Sequence, residues 1–213
     1  MRALAGELHG EYDVCDVADR ADVERVAADV LERHPAVHLL VNNAGIPGRR
    51  GFLELEPERI EHVLATNYLG GVWCLRAFLR GLEHAAPDAH VVNVVSVAGT
   101  VAFAPSGPYS ASKHAQLAFS RATAQELARR GIKVHTINPG FVETEGFPQR
   151  TALQSRFFRR AVIARERVAE TIVDAVAKDR REVFVPRWYR AFAIAQVVAP
   201  GLLRRASRSG YRR

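Results

Sequence analysis

Apolar residues gather along this chain into two kinds of run that alternate. Short stretches rich in Val, Leu and Ile have the length of a strand, and between them lie longer segments whose apolar positions recur every three or four residues. That alternation is the pattern of βαβ units wound around a parallel sheet. The predicted strands are YDVCDV from Tyr12, VHLLVNNAG from Val37, HVVNVVS from His90, IKVHTINPG from Ile132 and EVFVP from Glu182. Their unbroken apolar character suits strands covered on both faces. Helices are predicted for Ala21 to Arg33, Pro57 to His84 with a soft middle at Gly70 and Gly71, Tyr109 to Arg130, and Glu166 to Lys178. Pro57 fits a first helical turn, and Gly131, following Arg129 and Arg130, fits a C-terminal stop. The expected fold class is α/β with a doubly wound parallel sheet.

Composition narrows the organisation. With 213 residues, 48% of them hydrophobic, the chain has the size of one domain, spanning 1–213. Cys15 and Cys74 form neither a disulfide framework nor a metal-ligand spacing, and the histidines form no ligand-like cluster, so a reducing, cytoplasmic setting without a metal is expected. The opening MRALAGELHG carries Arg, Glu and His and is no signal peptide. AFAIAQVVAPGLL is too short for a bilayer span and contains Pro200 and Gly201, so residues 190–213 read as an amphipathic basic tail. Trp188, Tyr189 and Phe192 beside it are expected in core and lid packing rather than in membrane contact. Gly146 to Arg160 reads as a mobile flap. The net charge of +7 comes mostly from arginine, but no helix-turn-helix, RNA-recognition or zinc-finger pattern accompanies it, which excludes the usual nucleic-acid modules.

In an open parallel sheet, ligands bind beyond the carboxyl ends of the strands. Polar and glycine residues stand at those exits: Asp16-Val17, Asn43-Ala44-Gly45, Ser96, and Pro139-Gly140 with Thr144 beyond. Each alone is ordinary turn chemistry. Tyr109 and Lys113 are four apart at the start of a helix and therefore share a face. A phenol ordinarily titrates near ~10, and a neighbouring ammonium favours its ionised form. Ser96 could hold a substrate oxygen within reach of the Tyr109 hydroxyl.

The combination resembles the short-chain dehydrogenase/reductase family, in NNAG at Asn42 to Gly45, TNYLG at Thr66 to Gly70, Ser96 with Tyr109-SAS-Lys113, and NPGFVET at Asn138 to Thr144. The resemblance implies a Rossmann-like fold and a hydride transfer between NAD or NADP and an alcohol or carbonyl compound. It makes Tyr109 the general acid or base and Ser96 the group that orients the substrate oxygen. Lys113 would lower the Tyr109 pKa and bind the nicotinamide ribose, and Asn67 would help hold a water in a proton relay. Asp16 and Val17 match the adenine-contacting pair, Asn43, Ala44 and Gly45 line the adenosine side, and Pro139, Gly140 and Thr144 lie beside the nicotinamide. The expected partners are an apolar alcohol or ketone, to which Phe103, Phe141 and Phe147 point, and further copies of the chain in a homo-oligomer.

The chain departs from the family at its start, where no Gly-x-x-x-Gly-x-Gly pattern precedes Asp16. The first two strands of the fold are therefore expected to be missing, with Met1 inside the helix before the family's third strand. A fragment or misplaced start is the first explanation; otherwise VHLLV becomes an exposed parallel edge, or YDVCDV pairs directly with VHLLV through the Ala21 to Arg33 crossover. The residues that select NAD or NADP are absent, leaving only a lean to NADP. The alternative function is a catalytically silent binding or oligomerisation module.

Overall fold

The computed structural model describes residues 2–48, 52–102, 106–143 and 162–201. The chain opens with α1 (Arg2–Glu7) and, after an irregular stretch, α2 (Arg20–Arg33). Asp19 starts α2 by accepting at its carboxylate from the amides of Ala21 and Asp22, a standard N-cap. Strand β1 (Leu39–Asn42) follows, then α3 (Pro57–Leu64), a π-helical turn over Ala65–Leu69, and α4 (Gly70–Ala85). Strand β2 (Ala89–Val94) leads through a short 3-10 turn, Val97–Gly99, towards α5 (Gly107–Ala128), which Gly131 terminates at a φ of 74°. That left-handed backbone is one glycine adopts without strain. Then come β3 (Ile132–Pro139), β4 (Phe141–Val142), β5 (Val162–Ile163), α6 (Arg165–Ala177), β6 (Glu182–Val185), a 3-10 turn Arg187–Tyr189, and α7 (Arg190–Val198).

The main sheet is parallel throughout, in the order β1-β2-β3-β6, and β4 pairs separately with β5. On one face Leu75 and Leu82 of α4 and Leu127 of α5 pack against Val91, Ile132 and Val134. On the other, Val168 and Ala175 of α6 pack against Val92, Ile137 and Val185. Helices on both faces of a parallel sheet make the fold doubly wound, as the alternation of runs predicts. A polar row crosses this apolar interior. Asn42 Nδ2 donates to Asn93 Oδ1 (2.9 Å), Asn93 Nδ2 donates to Ser120 Oγ on α5 (2.9 Å), and Ser120 Oγ shares a hydrogen bond with Thr136 Oγ1 (2.7 Å).

One predicted strand is not a strand. YDVCDV has no sheet partner among the described residues, because a ladder needs a neighbour and none of the four strands lies beside it. Side chains tie it down instead: Arg33 bonds Glu11 and Asp13, Arg25 donates to the Val14 carbonyl, and the Asp16 amide donates to Asp22. The edge anticipated at VHLLV is there. Among the described residues β1 pairs only with β2, leaving Leu39 46% and Val41 41% exposed while Leu40, on the opposite face, packs into the core. The soft middle at Gly70 and Gly71 proves to be a π-turn just before them. Part of the residue 190–213 tail is the helix α7. The flap from Gly146 to Arg160, and residues 202–213, lie outside the described residues. No described helix is long and apolar enough to cross a membrane.

Candidate active site

The 3-10 turn after β2 fixes the centre of the site. Ser96 precedes it and accepts at Oγ from the Ala98 amide at 3.1 Å. Gly99 ends it flush against α5, where a Cβ would stand 2.7 Å from the Lys113 carbonyl oxygen. Only a residue without Cβ lets the turn lie this close to the helix. Ser96 is thereby held against the first turns of α5. It hydrogen-bonds the Tyr109 phenol and reaches the Pro139 carbonyl at 3.5 Å. The spacing of Tyr109 and Lys113 places both on the sheet side of α5, with the Lys113 Nζ 5.9 Å from the Tyr109 ring centroid.

Lys113 is the most strained electrostatic element here. Its ammonium is buried and donates to the Val94 carbonyl (3.1 Å) and to Gln116 Oε1 (2.7 Å). Burial pushes its pKa down to about 7, because low-dielectric surroundings penalise the charged form. For Tyr109, burial raises the phenol and the Ser96 hydrogen bond works against that rise, while the Lys113 N–H groups are turned to Val94 and Gln116.

The lowered Lys113 pKa has a consequence for stability. Between about 7 and the ordinary 10.5, the unfolded chain keeps a proton that the folded chain has released, so stability rises with pH across that window. Below about 7 both states are charged and the folded state carries the full desolvation penalty. The stability of the wild type relative to Lys113→Met should therefore climb from pH 7 to pH 10.5, read as paired urea midpoints. A flat difference would contradict the buried charge.

Asn67 sits in the π-turn with its side chain almost fully buried. Its Oδ1 accepts from the Ile46 amide (2.7 Å), and its Nδ2 donates to the Ile46 carbonyl (3.0 Å) and to Ser112 Oγ (3.1 Å). Ser112 Oγ in turn donates to the Tyr109 carbonyl at 2.8 Å. The loop leaving β1 is thus stitched to α5. Asn43, Ala44 and Gly45 at that exit are exposed, and a Cβ on Gly45 would lie 3.4 Å from Asn67 Oδ1 and 3.7 Å from Lys113 Nζ. The β1 exit and the buried lysine face one another across a gap that glycine keeps open.

The outer candidates are placed less centrally. Val17 packs on Gly70, where a Cβ would approach its side chain at 2.9 Å, and Asp16 Oδ1 accepts from the Ala18 amide at 2.9 Å. Pro139 is buried at the end of β3. Gly140 donates its amide to the Val185 carbonyl at 2.8 Å, and any Cβ there would overlap the Tyr189 ring, so packing alone demands glycine. Thr144, Phe103 and Phe147 lie outside the described residues. The sequence reading missed Gln116, although its i, i+3 spacing from Lys113 was visible, and it missed Asn138. The Asn138 amide is fully buried, with no partner for either side-chain polar atom among the described residues, a setting that ordinarily holds an ordered water.

A doubly wound parallel sheet in which the exit of β2 brings Ser96 against Tyr109 and Lys113 of α5 defines a Rossmann-like α/β protein with its polar cluster at the ligand-binding end. A family model described as short chain dehydrogenase matches residues 3–154, and the chain belongs to that family. It is 38% identical over 147 residues to a Streptomyces coelicolor protein named as a ketoacyl reductase, covering 68% of this chain and 55% of that protein. It is 30% identical over 224 residues to mouse (Mus musculus) dehydrogenase/reductase SDR family member 7B, covering all of this chain and 69% of that protein. The chain therefore spans little more than half the length of the Streptomyces relatives. Among solved structures, a Streptomyces avermitilis short-chain dehydrogenase superposes with a TM-score of 0.77 at 25% identity, over 92% of this chain and 78% of that one. A Burkholderia cenocepacia short chain dehydrogenase in complex with NADP gives 0.74 at 25% identity, over 90% and 76%.

Proposed function

We propose that this chain carries the nicotinamide half of an oxidoreductase site that interconverts an apolar alcohol and its ketone, with NADP as the preferred cofactor. The observation that carries the reading is the contact of Ser96 with the Tyr109 phenol, one helical turn from a buried lysine that faces Gly45. The residues suit a dinucleotide: Gly45 leaves an open cradle beside Lys113, and Asn43 to Gly45 are solvent-facing at a strand exit. The relatives named as ketoacyl reductases and the neighbour solved with NADP support the substrate class and the cofactor.

In the direction of reduction, a bound dinucleotide would supply the hydride. Ser96 holds the carbonyl oxygen by donating a hydrogen bond. Tyr109, kept protonated by its raised pKa, delivers the proton to the developing alkoxide. Lys113, buried beside Gly45, would hold ribose hydroxyls, and its charge would favour the phenolate left behind. The side-chain amide of Asn67 is already engaged by Ile46 and Ser112, so its part in a proton relay falls to its backbone in the π-turn. By the family resemblance Asp16 and Val17 would contact the adenine, Asn43, Ala44 and Gly45 would line the adenosine side, and Pro139, Gly140 and, outside the described residues, Thr144 would belong to the nicotinamide side. The long helices α4 and α5 would pack between copies in a homo-oligomer.

Titration of the whole chain with NADPH and NADH by calorimetry, followed by turnover on a panel of 3-oxoacyl thioesters and apolar ketones, tests this reading. NADPH should bind more tightly than NADH and be consumed with ketone. A second reading, a silent assembly module, is favoured by the open β1 edge. It prevails if neither dinucleotide binds at millimolar concentration while the chain remains a folded oligomer.

A further inference from the structure

Gly70, Cys74, Ala77 and Gly81 follow one another at helical spacing along one side of α4. Both ends of that stripe touch the opening part of the chain. A Cβ at Gly70 would lie 3.0 Å from Val17 Cβ, and one at Gly81 would lie 2.6 Å from Leu31 Cδ2 and 2.8 Å from Val37 Cγ2. Arg20 lies over the Trp73 ring at 5.5 Å, so α2 runs beside α4 in the same direction. The segment before α2 runs the opposite way, because it meets α2 in reverse order. The Asp16 amide donates to Asp22, the Val14 carbonyl accepts from Arg25, and Glu11 and Asp13 accept from Arg33. Going from Val17 back to Cys15 therefore moves along α4 from Gly70 towards Cys74. The advance matches as well. Two residues of chain reach at most about 7 Å, and the turn from Gly70 to Cys74 rises about 6 Å. At Gly70 the approach is already tighter than the ~3.8 Å between Cβ atoms that a disulfide spans. Cys15 and Cys74 are the only cysteines of the chain, and both are half-buried. Burial pushes the Cys74 thiol up to about 11, and the charge of Cys15 nearby adds to the rise.

We propose that Cys15 and Cys74 form a reversible redox pair, closed into a disulfide by exchange with a low-molecular-weight disulfide and fastening the segment before α2 to α4. Cys15, the less deeply set of the two, attacks first as its thiolate. Its sulfur bonds one sulfur of the small disulfide, whose S–S bond breaks and releases a thiolate that takes up a proton. Cys74, its proton passed to solvent, then attacks the Cys15 sulfur and releases the second small thiol. Two protein thiols are oxidised, and one small disulfide is reduced to two thiols. Burial raises the Cys15 thiol, with Asp22 adding to the rise and Arg25 opposing it, so closure should quicken as pH rises above neutral. What the bond changes is local. The segment has no strand partner among the described residues, and the ion pairs of Arg33 with Glu11 and Asp13 are solvent-exposed, a kind of contact that contributes little. The disulfide fixes Asp16 and Val17 against α4. This redox pair does not depend on the proposed reaction.

The test treats the full folded chain with oxidised glutathione, then runs it on a non-reducing gel and weighs its tryptic peptides. The expected product is a monomer in which peptide 3–20 is joined to peptide 60–76, lighter than their sum by two hydrogens and separated by reductant. Cys74→Ser should stop at the mixed disulfide on Cys15, and Cys15→Ser should take up glutathione more slowly than wild type. The closed chain should need more urea to unfold than the reduced chain, because a bond that fits the native backbone constrains the unfolded one. Three outcomes overturn the proposal. They are a wild type that stays at the mixed disulfide, a link that forms only between copies as a covalent dimer, or a closed chain that unfolds at the same or lower urea than the reduced one. Neither turnover nor dinucleotide binding enters these readouts, so the redox pair and the oxidoreductase reading can fail separately.

Discussion

Tyr109→Phe should lower ketone reduction about 10³-fold while leaving the protein folded and the NADPH titration nearly unchanged. Removal of a general acid ordinarily forfeits about 10²–10⁴ in rate, and here no other acid stands in reserve: Ser96 is a hydroxyl bonded to the same phenol, and Lys113 is turned to Val94 and Gln116. The structural loss is one hydrogen bond, about 1 kcal/mol, because the phenylalanine ring keeps the packing of the tyrosine. The raised phenol pKa adds a sign. Tyr109 stays protonated through neutral pH, so reduction should hold steady until alkaline pH removes the proton, whereas oxidation, which needs the phenolate, should rise with pH. Steady-state rates in both directions, with urea melts of the variant, decide the matter. A variant that retains a tenth or more of the wild-type rate would remove Tyr109 from the chemistry.

The second large effect is expected at a residue with no side chain of its own. Gly99→Ala would put a methyl 2.7 Å from the Lys113 carbonyl oxygen and 2.9 Å from Val95 Cγ1. The nearer of these is helix backbone, which cannot rotate away, so the turn or the helix must shift. Overpacking of this kind costs about 2 kcal/mol, visible as a lower urea midpoint whatever the protein catalyses. The same shift separates Ser96 from Tyr109, and a misplacement of about 1 Å is enough for a 10²-fold loss of turnover. Gly107→Ala is the matched control. It lies in the same helix with nothing within 4 Å of the added methyl, and should change stability by no more than about 0.5 kcal/mol. If the two variants melt together, the close contact between turn and helix is not what positions the site.

Four of the five strands and all four long helices were legible because unbroken apolar runs and three-to-four spacing report burial directly, and burial is what those elements share. YDVCDV shows the limit of that logic. Its residues have strand propensity, but pairing is a property of neighbours, and Arg25 and Arg33 hold the segment in place of a ladder. The cluster of Ser96, Tyr109 and Lys113 was legible from spacing and from where strands end. Its electrostatics were not, since the pKa of Lys113 depends on depth beneath the surface and on the direction of its N–H bonds, neither of which an i, i+4 spacing contains. Gln116 escaped for the same reason. Nothing in its sequence context distinguishes a buried acceptor from a solvated amide.

The row of Asn42, Asn93 and Thr136 sets how these strand ends line up. The three residues are direct lateral partners on adjacent strands, and with Ser120 they are joined by hydrogen bonds that an apolar interior cannot replace. An apolar sheet would tolerate a strand sliding along its neighbour by two residues, since the same face would stay buried. This one would not, because a slip of β1 would strand two amides in the core and a slip of β3 two hydroxyls. The row therefore acts as a gauge. It fixes how far Asn43, Ser96 and Gly140 stand beyond the row on their strands, since a slip moves in whole residues of ~3.3 Å rise, and the alignment of the site is thereby written into the middle of the sheet rather than at its rim.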